Sequence, residues 1–372
     1  MKIAMLGTRG VPASYSGFET CVEQLGKRLV KRGHEVTVYC RRHHVQYEGD
    51  TYEGMRLVKL PTIQNKYLDT IVHTTLSTFH ATTRRFDIGM YFIAGNSPLT
   101  IVPRMVGTKT ILNVDGLDWK RDKWPPIAKQ YIKFAEYLAT KFPNAYLTDS
   151  HVVQEYYQDS FKSTPLYIPY GSEVKHLSPG ETLEKFGLKA GEYILFVGRL
   201  VPENCAHHLI EAFKELDTDQ QCVIVGDAYY EDRYIKNLRD MAADDPRIIF
   251  TGYVFGDGYH EISNNAHIFV ETSAVGGTHP ALVEAMAFES CVVAQDTPAN
   301  LETIDDAGFS YDGTVGAESL KAVLQRLLAD PTLVEEFKKK ARARAEAVYT
   351  WDGVTDAYER LFLKVLGREG RD

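Results

Sequence analysis

The sequence predicts an α/β protein built from two doubly wound, Rossmann-like domains, and three observations carry that prediction. Strand-like apolar runs alternate with amphipathic helical stretches along most of the chain, which implies parallel sheets covered on both faces. The alternation weakens between Gly171 and Gly191, where Ser172, Ser178, Pro179, Gly180 and Gly187 interrupt it, and then restarts. The length, 372 residues, exceeds what one hydrophobic core usually serves. The expected boundaries are 1–172 for the first domain, 173–350 for the second and 351–372 for a terminal helix that packs back on the first. Two such domains are expected to face one another across a cleft between the carboxyl ends of their strands, where small molecules bind.

The first βαβ unit reads from Lys2 to Leu6 as a strand, then as a helix with Phe18, Cys21, Val22, Leu25, Leu29 and Val30 at helical spacing. Gly33-His34 ends that helix, and Glu35 to Cys40 forms the next strand. Met90 to Ala94, Thr110 to Val114, Ala145 to Thr148 and Leu166 to Pro169 continue the strands, with helices near 98–106, 125–141 and 151–161. In the second half, strands are expected at Tyr193 to Val197, Cys222 to Val225, Ile248 to Phe250, Ile268 to Val270 and Cys291 to Ala294. Helices near 205–216 and 231–243, and one opened by Pro280, lie between them. Three closing helices follow, near 316–329, 331–348 and 353–366, with Trp351 between the last two. No period of 20–50 residues recurs, which excludes a solenoid.

Hydrophobic and charged contents of 44% and 25% are ordinary for a globular chain. Without a signal pattern or a long apolar run, the expected location is cytoplasmic, peripheral on the inner face of the plasma membrane. Five cysteines with no C-x-x-C spacing argue for reduced core residues, not for disulfides or zinc. The net charge of −8 is unevenly spread. Residues 1–172 hold 22 Lys+Arg against 15 Asp+Glu, a balance of +7, and the remainder holds 20 against 35, a balance of −15. Within the basic half, Arg84, Arg85, Arg104, Lys109, Lys120, Arg121, Lys123, Lys129 and Lys133 mix with Trp119, Trp124 and Tyr131. This mixture suits an anionic membrane surface or a phosphorylated acceptor, and equally a solvated face. Nucleic acid is not an expected partner.

The strand-end loops carry the chemistry. Gly7 to Thr20 leads through Gly17 into a helix N-terminus, whose free N–H groups and positive dipole end suit a phosphate. The loop is neither G-x-G-x-x-G nor a Walker motif, which weakens dinucleotide and P-loop readings. Arg199 follows the strand Tyr193 to Val197, and its guanidinium fork matches phosphate oxygens; the alternative is a salt bridge to Glu203. Asp115-Gly116 ends the strand Thr110 to Val114, where a carboxylate can accept a sugar hydroxyl or form a turn. Ser150 suits a helix cap, and Tyr253 either a nucleobase contact or a core position. Glu284 stands alone among Ala281, Leu282, Val283, Ala285, Met286, Ala287 and Phe288. A buried charge without a partner is costly, so Glu284 has either a structural cation beside it or a polar ligand.

Taken together, the segments Gly7 to Gly10 with Gly17 to Thr20, Asn113 to Arg121, and Gly276 to Met286 resemble the family 4 (group 1) glycosyltransferases of the GT-B fold. Within these the chain looks like the bacterial rhamnosyltransferase-type branch. The resemblance implies a nucleotide-diphosphate sugar, dTDP- or UDP-linked, on the second domain and an acceptor on the first, with metal-independent, retaining transfer. It implies donor contacts from Gly17, Arg199, Asn204, Tyr253, Gly276, Gly277, Thr278 and Glu284, catalytic roles for Asp115, Arg199 and Glu284, and acceptor-side roles for Arg9, Trp119 and Lys120. No metal or other cofactor is implied. Three positions depart from the family pattern: Gly276 where relatives often place glutamate, Asn204 where they often place lysine, and Asp115 where histidine often precedes the glycine.

Breaking the anomeric bond leaves negative charge on the diphosphate, which Arg199 and helix N-termini would stabilise. The expected acceptor is a bacterial surface polysaccharide or a lipid-linked saccharide, with rhamnose as the first candidate sugar. A nucleotide-sugar epimerase or hydrolase, or a non-catalytic nucleotide-sugar-binding subunit, are the rival readings.

Overall fold

The computed structural model describes the chain apart from residues 14–16, 66–67, 115, 121–123, 174, 229–230 and 369–372. It divides into two compact units, Met1–Gly171 with Trp351–Asp372, and Ser172–Thr350.

The first unit runs β1 (Lys2–Leu6), α1 (Gly17–Lys31), β2 (Glu35–Arg41), β3 (Thr51–Tyr52), β4 (Met55–Leu60), α2 (Asp69–Thr82) and β5 (Ile88–Phe92). It continues through α3 (Ile101–Arg104), β6 (Lys109–Asn113), α4 (Pro126–Ala139), β7 (Ala145–Thr148), α5 (His151–Phe161) and β8 (Leu166–Tyr167). Its sheet has the order β3-β4-β2-β1-β5-β6-β7-β8, parallel except for the β3–β4 pair. Successive connections run outward from β1 in one direction and from β5 in the other, so the switch point lies between β1 and β5. There the chain comes close to itself: a Cβ on Gly7, at φ +102°, would stand 2.7 Å from the Phe92 carbonyl oxygen.

The hairpin β3–β4 and helix α2 were not expected from the sequence. Residues 69–82 are rich in threonine and histidine, and α2 buries His73, Thr74, Ser77 and Thr78 as its inner face. A hydrophobicity period therefore does not show it. Where one helix near 98–106 was expected, the chain forms a 3₁₀ helix over Ala94–Thr100, containing Pro98, and then the single turn α3.

The second unit runs α6 (Glu181–Phe186), β9 (Tyr193–Val197), α7 (Ala206–Lys214), β10 (Gln221–Val225), α8 (Asp232–Ala242), β11 (Ile248–Gly252) and α9 (Gly256–Asn264). Then come β12 (Ile268–Glu271), α10 (Pro280–Ala287), β13 (Cys291–Gln295), α11 (Pro298–Ile304), β14 (Phe309–Tyr311), α12 (Ala317–Ala329) and α13 (Pro331–Val348). Its parallel sheet has the order β11-β10-β9-β12-β13-β14, which puts the switch point between β9 and β12. The two-residue period of β9 divides the core. Ile194 and Phe196 pack with Leu209, Phe213, Leu320 and Leu324 on one face. Tyr193 and Leu195 pack with Ile262, Leu282 and Met286 on the other. Each such side chain, fully buried, contributes roughly 1.5–3 kcal/mol. The N-terminus of α6 has only Gly180 as its cap, and the Glu261 carboxylate of α9 replaces a capping side chain by accepting from Gly180, Thr182 and Leu183 N–H.

The chain re-enters the first unit as α14 (Trp351–Val365), which packs on α1. Arg32 and His34 bind Glu359 there at 2.8 and 2.7 Å, and Phe362 is fully buried. Ser172 and Thr350 pair as an isolated parallel bridge, so the two linking strands run side by side.

Candidate functional site

The switch point of the second sheet brings together the loops that follow β9 and β12. Thr272 donates its hydroxyl to the Asn204 carbonyl at 2.5 Å, and Ala274 N–H donates to the Glu203 carbonyl at 2.9 Å. The loop carrying Arg199 is thereby bound to the loop that becomes Gly276-Gly277-Thr278. On the outer side of β9 the backbones nearly touch, since a Cβ on Gly226 would fall 1.9 Å from the Gly198 carbonyl oxygen.

Arg199 is partly exposed at the end of this strand. Among the described residues its guanidinium forms no ion pair, so the alternative salt bridge to Glu203 is not made. Asn204 is only 8% exposed, and its amide donates to the Arg199 carbonyl at 2.9 Å. The side chain thus helps fix the backbone of the Arg199 loop.

The segment 274–280 is at least partly exposed, while Leu282, Val283, Ala285, Met286 and Ala287 of α10 are buried. Pro280 opens α10 without a side-chain cap from His279, and the Leu282 and Val283 N–H groups donate instead to the His279 carbonyl at 3.1 and 3.2 Å. A Cβ on Gly276 would lie 2.7 Å from the His279 ring, which gives the glycine a steric reason. Glu271, the nearest carboxylate in sequence, is 3% exposed and accepts from both the N–H and the hydroxyl of Ser273. It therefore stands in place of no missing sugar ligand.

Glu284 is half-buried and accepts a 2.6 Å hydrogen bond from the Tyr259 hydroxyl of α9. Among the described residues no cation pairs with it, so the structural-cation alternative is overturned. Burial lifts its pKa to about 7, and the Tyr259 hydrogen bond only partly offsets this. Tyr259 is pushed well above its ordinary value, by burial first and then by the Glu284 carboxylate. Sequence reasoning missed Tyr259, although its spacing from Ile262 and the glycines around it mark a short helix start. Tyr253, after β11, stacks on Phe255 at 5.5 Å and 17°, and Phe255 is 53% exposed. This paired aromatic face is the shape a base would use.

The first-unit residues are placed as follows. Gly17 is the first residue of α1. In the turn that follows it, Glu19 is buried and accepts from Arg9 N–H at 2.9 Å, and Glu23 accepts from Ala13 N–H at 2.7 Å. These carboxylates tie the loop after β1 to α1. Arg9 is partly exposed. Asp115 lies outside the described residues, as do Arg121 and Lys123. Trp119 and Lys120 sit in a 3₁₀ turn, and the Lys133 ammonium lies 4.1 Å from the centre of the Trp119 ring. Behind them Glu136, 1% exposed, accepts from Tyr156 at 2.8 Å; burial pushes its pKa to about 7. Ser150 occupies the N-cap position of α5 but its side chain makes no capping bond.

Among the described residues, two groups have side-chain types that hold metals. Cys205, His207 and His208 place their ligand atoms within 4.8 Å of one another, as do His43, His44 and Asp69. In the first, each imidazole Nδ1 is already bonded to a tyrosine hydroxyl, Tyr234 at 2.9 Å and Tyr311 at 3.2 Å. In the second, the Arg41 guanidinium lies 2.8 Å from the Asp69 carboxylate and supplies its positive charge.

Residues 181–344 match the model of "Glycosyl transferases group 1". Residues 181–344 form a group 1 glycosyltransferase domain. Residues 1–173 match a domain of unknown function, DUF1972. The chain is 24% identical over 275 residues to the N-acetylgalactosamine-N,N'-diacetylbacillosaminyl-diphospho-undecaprenol 4-alpha-N-acetylgalactosaminyltransferase of Campylobacter jejuni, covering 71% of this chain and 73% of that protein. It is 26% identical over 194 residues to the putative glycosyltransferase YtcC of Bacillus subtilis, covering 49% of this chain. The chain spans about half the length of that Bacillus relative (48%). Sucrose-phosphate synthase of Thermosynechococcus elongatus superposes with a TM-score of 0.83 at 20% identity, over 98% of this chain and 99% of that one. Anabaena HepE in complex with UDP and glucose superposes with a TM-score of 0.80 at 16% identity, over 98% and 100%. The fold is that of the GT-B glycosyltransferases, two parallel-sheet α/β domains. The group 1 domain contains Arg199, Asn204, Tyr253, Gly276 to Thr278, Tyr259 and Glu284, whereas Arg9, Gly17, Trp119 and Lys120 lie in the DUF1972 segment.

Proposed function

We propose that the protein is a retaining glycosyltransferase that moves a sugar, rhamnose first, from a dTDP- or UDP-linked donor to a bacterial surface polysaccharide or lipid-linked saccharide. The observation that carries this reading is the switch point between β9 and β12, where Arg199, a cation without an ion pair among the described residues, and the Gly-Gly-Thr loop share one hydrogen-bonded framework. A structural neighbour holds UDP and glucose, and the Campylobacter relative is named for an undecaprenol-diphosphate acceptor. Both fit a diphosphate donor and a lipid-linked acceptor here.

In this reaction the bond from the anomeric carbon to the phosphate oxygen breaks, and a bond to the acceptor hydroxyl oxygen forms on the same face. The acceptor proton passes to the departing phosphate oxygen. Arg199 and the positive dipole end of α10 stabilise the charge left on the diphosphate, which needs no metal. Glu284, when ionised, accepts the two ribose hydroxyls. Asp115, Arg9, Trp119 and Lys120 belong to the acceptor side in this proposal, and the enzyme works on the cytoplasmic face of the membrane.

The test is a panel of nucleotide sugars with and without a lipid-linked acceptor, with analysis of product anomeric configuration and a parallel reaction in chelator. Acceptor-dependent product of retained configuration, made equally in chelator, is expected. Donor consumption without acceptor would instead identify an epimerase or hydrolase, and binding without consumption a non-catalytic subunit.

A further inference from the structure

Away from these loops, three neighbouring pieces of the first unit expose large apolar side chains. On α4, Ile127 is 86% exposed and Phe134 57%. They stand seven positions apart, on one helical face, with Tyr131 between them. Met105, just past α3, is 81% exposed, and Phe79 of α2 is 58% exposed. The helices α2, α3 and α4 all pack against the 3₁₀ helix Ala94–Thr100, and the Arg104 guanidinium at the end of α3 donates to the Phe142 carbonyl just beyond α4. The apolar side chains therefore belong to one covered side of the sheet and not to scattered positions.

Most of the charge around them is positive, with Asp118 in the turn packed on α4 as an exception. Between Thr70 and Val114 the only acidic residue is Asp87. The α4 helix carries Lys129 and Lys133, with Lys141 just after it, and its one carboxyl, Glu136, is buried. Among the described residues Lys133 and Lys141 form no ion pair; their ammonium groups lie over the rings of Trp119 and Tyr137. Large apolar side chains flanked by cations, on a helix without an exposed carboxylate, fit an anionic interface that is apolar just below its charge. No helix among the described residues is long and apolar enough to cross a membrane, so contact at the surface is the geometry left to this face.

We propose that this face of the first unit docks on an anionic phospholipid bilayer. Ile127 and Phe134 enter the boundary between headgroups and acyl chains, while the lysines of α4 meet lipid phosphates. The proposal names the partner of the first unit under the lipid-linked acceptor reading, and can be tested apart from it.

The full chain is sedimented with vesicles of phosphatidylcholine alone or mixed with phosphatidylglycerol, at low and high salt. Binding is expected only with phosphatidylglycerol, weakened by salt. The double variant Ile127→Glu with Phe134→Glu should lose at least about tenfold in vesicle binding, and Lys133→Ala and Lys141→Ala about fivefold each. Because Ile127 and Phe134 are exposed, the double variant should keep its circular dichroism spectrum and its binding of nucleotide sugar in calorimetry. Absence of binding at low salt, equal binding by a folded double variant, or indifference to phosphatidylglycerol would each overturn the proposal. So would a dimer in sedimentation velocity that the double variant abolishes while vesicles go unbound, since a second copy of the chain would then cover the face. Vesicle binding without nucleotide-sugar binding would sink the transferase reading and leave the docking surface standing.

Discussion

Glu284 accepts freely at both carboxyl oxygens only when ionised, and its environment holds it close to the midpoint of that ionisation at neutral pH. Two hydroxyl hydrogen bonds to a carboxylate are together worth enough that Glu284→Ala should weaken donor binding by roughly 10- to 100-fold. Calorimetric titration with a nucleotide sugar reads this directly. Because the pKa is raised to about 7, wild-type affinity should climb between about pH 6 and pH 8, while Glu284→Gln should be weak and flat across that range. A pH-independent wild type would remove Glu284 from the ribose. Arg199 provides the contrast: Arg199→Ala should cost much more affinity for a nucleoside diphosphate than for the nucleoside, since its fork addresses phosphate oxygens. Equal losses for both ligands would show that the guanidinium does not reach the phosphates. At this scale the sequence marked Glu284 as a carboxylate in apolar company, but its partner was illegible. Tyr259 lies 25 residues away on a different helix, and only the fold brings the two together.

The elements explain why Arg199 is held where it is. Its loop is pinned from one side by Thr272 and Ala274 and from within by Asn204, and on the other side β10 approaches through a glycine. Gly226 sits at φ +135°, and any Cβ there would collide with the Gly198 carbonyl. Gly226→Ala should therefore destabilise the second unit by about 1–3 kcal/mol and lower nucleotide-diphosphate affinity as well, because the displaced backbone carries Arg199. Chemical denaturation and donor titration on the same variant give the two readings; a stable variant with intact affinity would contradict the argument. Most strands and the larger helices of this frame were legible because Val, Ile and Leu runs at β9, β10, β12 and β13 are buried on both faces and stand out against polar turns. Among the missed pieces, α2 buries threonine, histidine and serine and α9 opens on glycines, so no apolar period announces them. The short strand β4 does alternate, with Met55 and Leu57 buried about an exposed Arg56, and was legible in principle. The backbone role of Asn204 was illegible for a related reason: an amide that satisfies a backbone carbonyl and an amide that binds a ligand look alike in sequence.

At the scale of the whole molecule, the pH dependence of stability follows from two sets of carboxyls that pull in opposite directions. Asp69, Asp245, Glu261, Glu335 and Glu359 are held below their ordinary values, so the stability they contribute is present above the ordinary carboxylate range and is lost on acidification. In Asp69, Glu261 and Glu359 burial opposes the shift and hydrogen bonds outweigh it, with cationic neighbours adding to them at Asp69 and Glu359. Glu136 in the first unit and Glu284 in the second behave the other way, each raised from 4.5 to about 7 by burial. Between those values the folded chain binds more protons than the unfolded chain, so stability falls as pH rises through the window and levels off above it. Glu136 is the better probe because it is 1% exposed and its Tyr156 hydrogen bond can be kept by an amide. Glu136→Gln should be more stable than wild type by about 1–3 kcal/mol at about pH 8, with the difference shrinking to within roughly 1 kcal/mol at about pH 5. Urea unfolding of both proteins at the two pH values measures it. A difference that stays constant with pH would mean that Glu136 is not neutral in the folded chain below pH 7, and that the hydrogen bond from Tyr156, with Lys133 beside it, outweighs the cost of burying its charge.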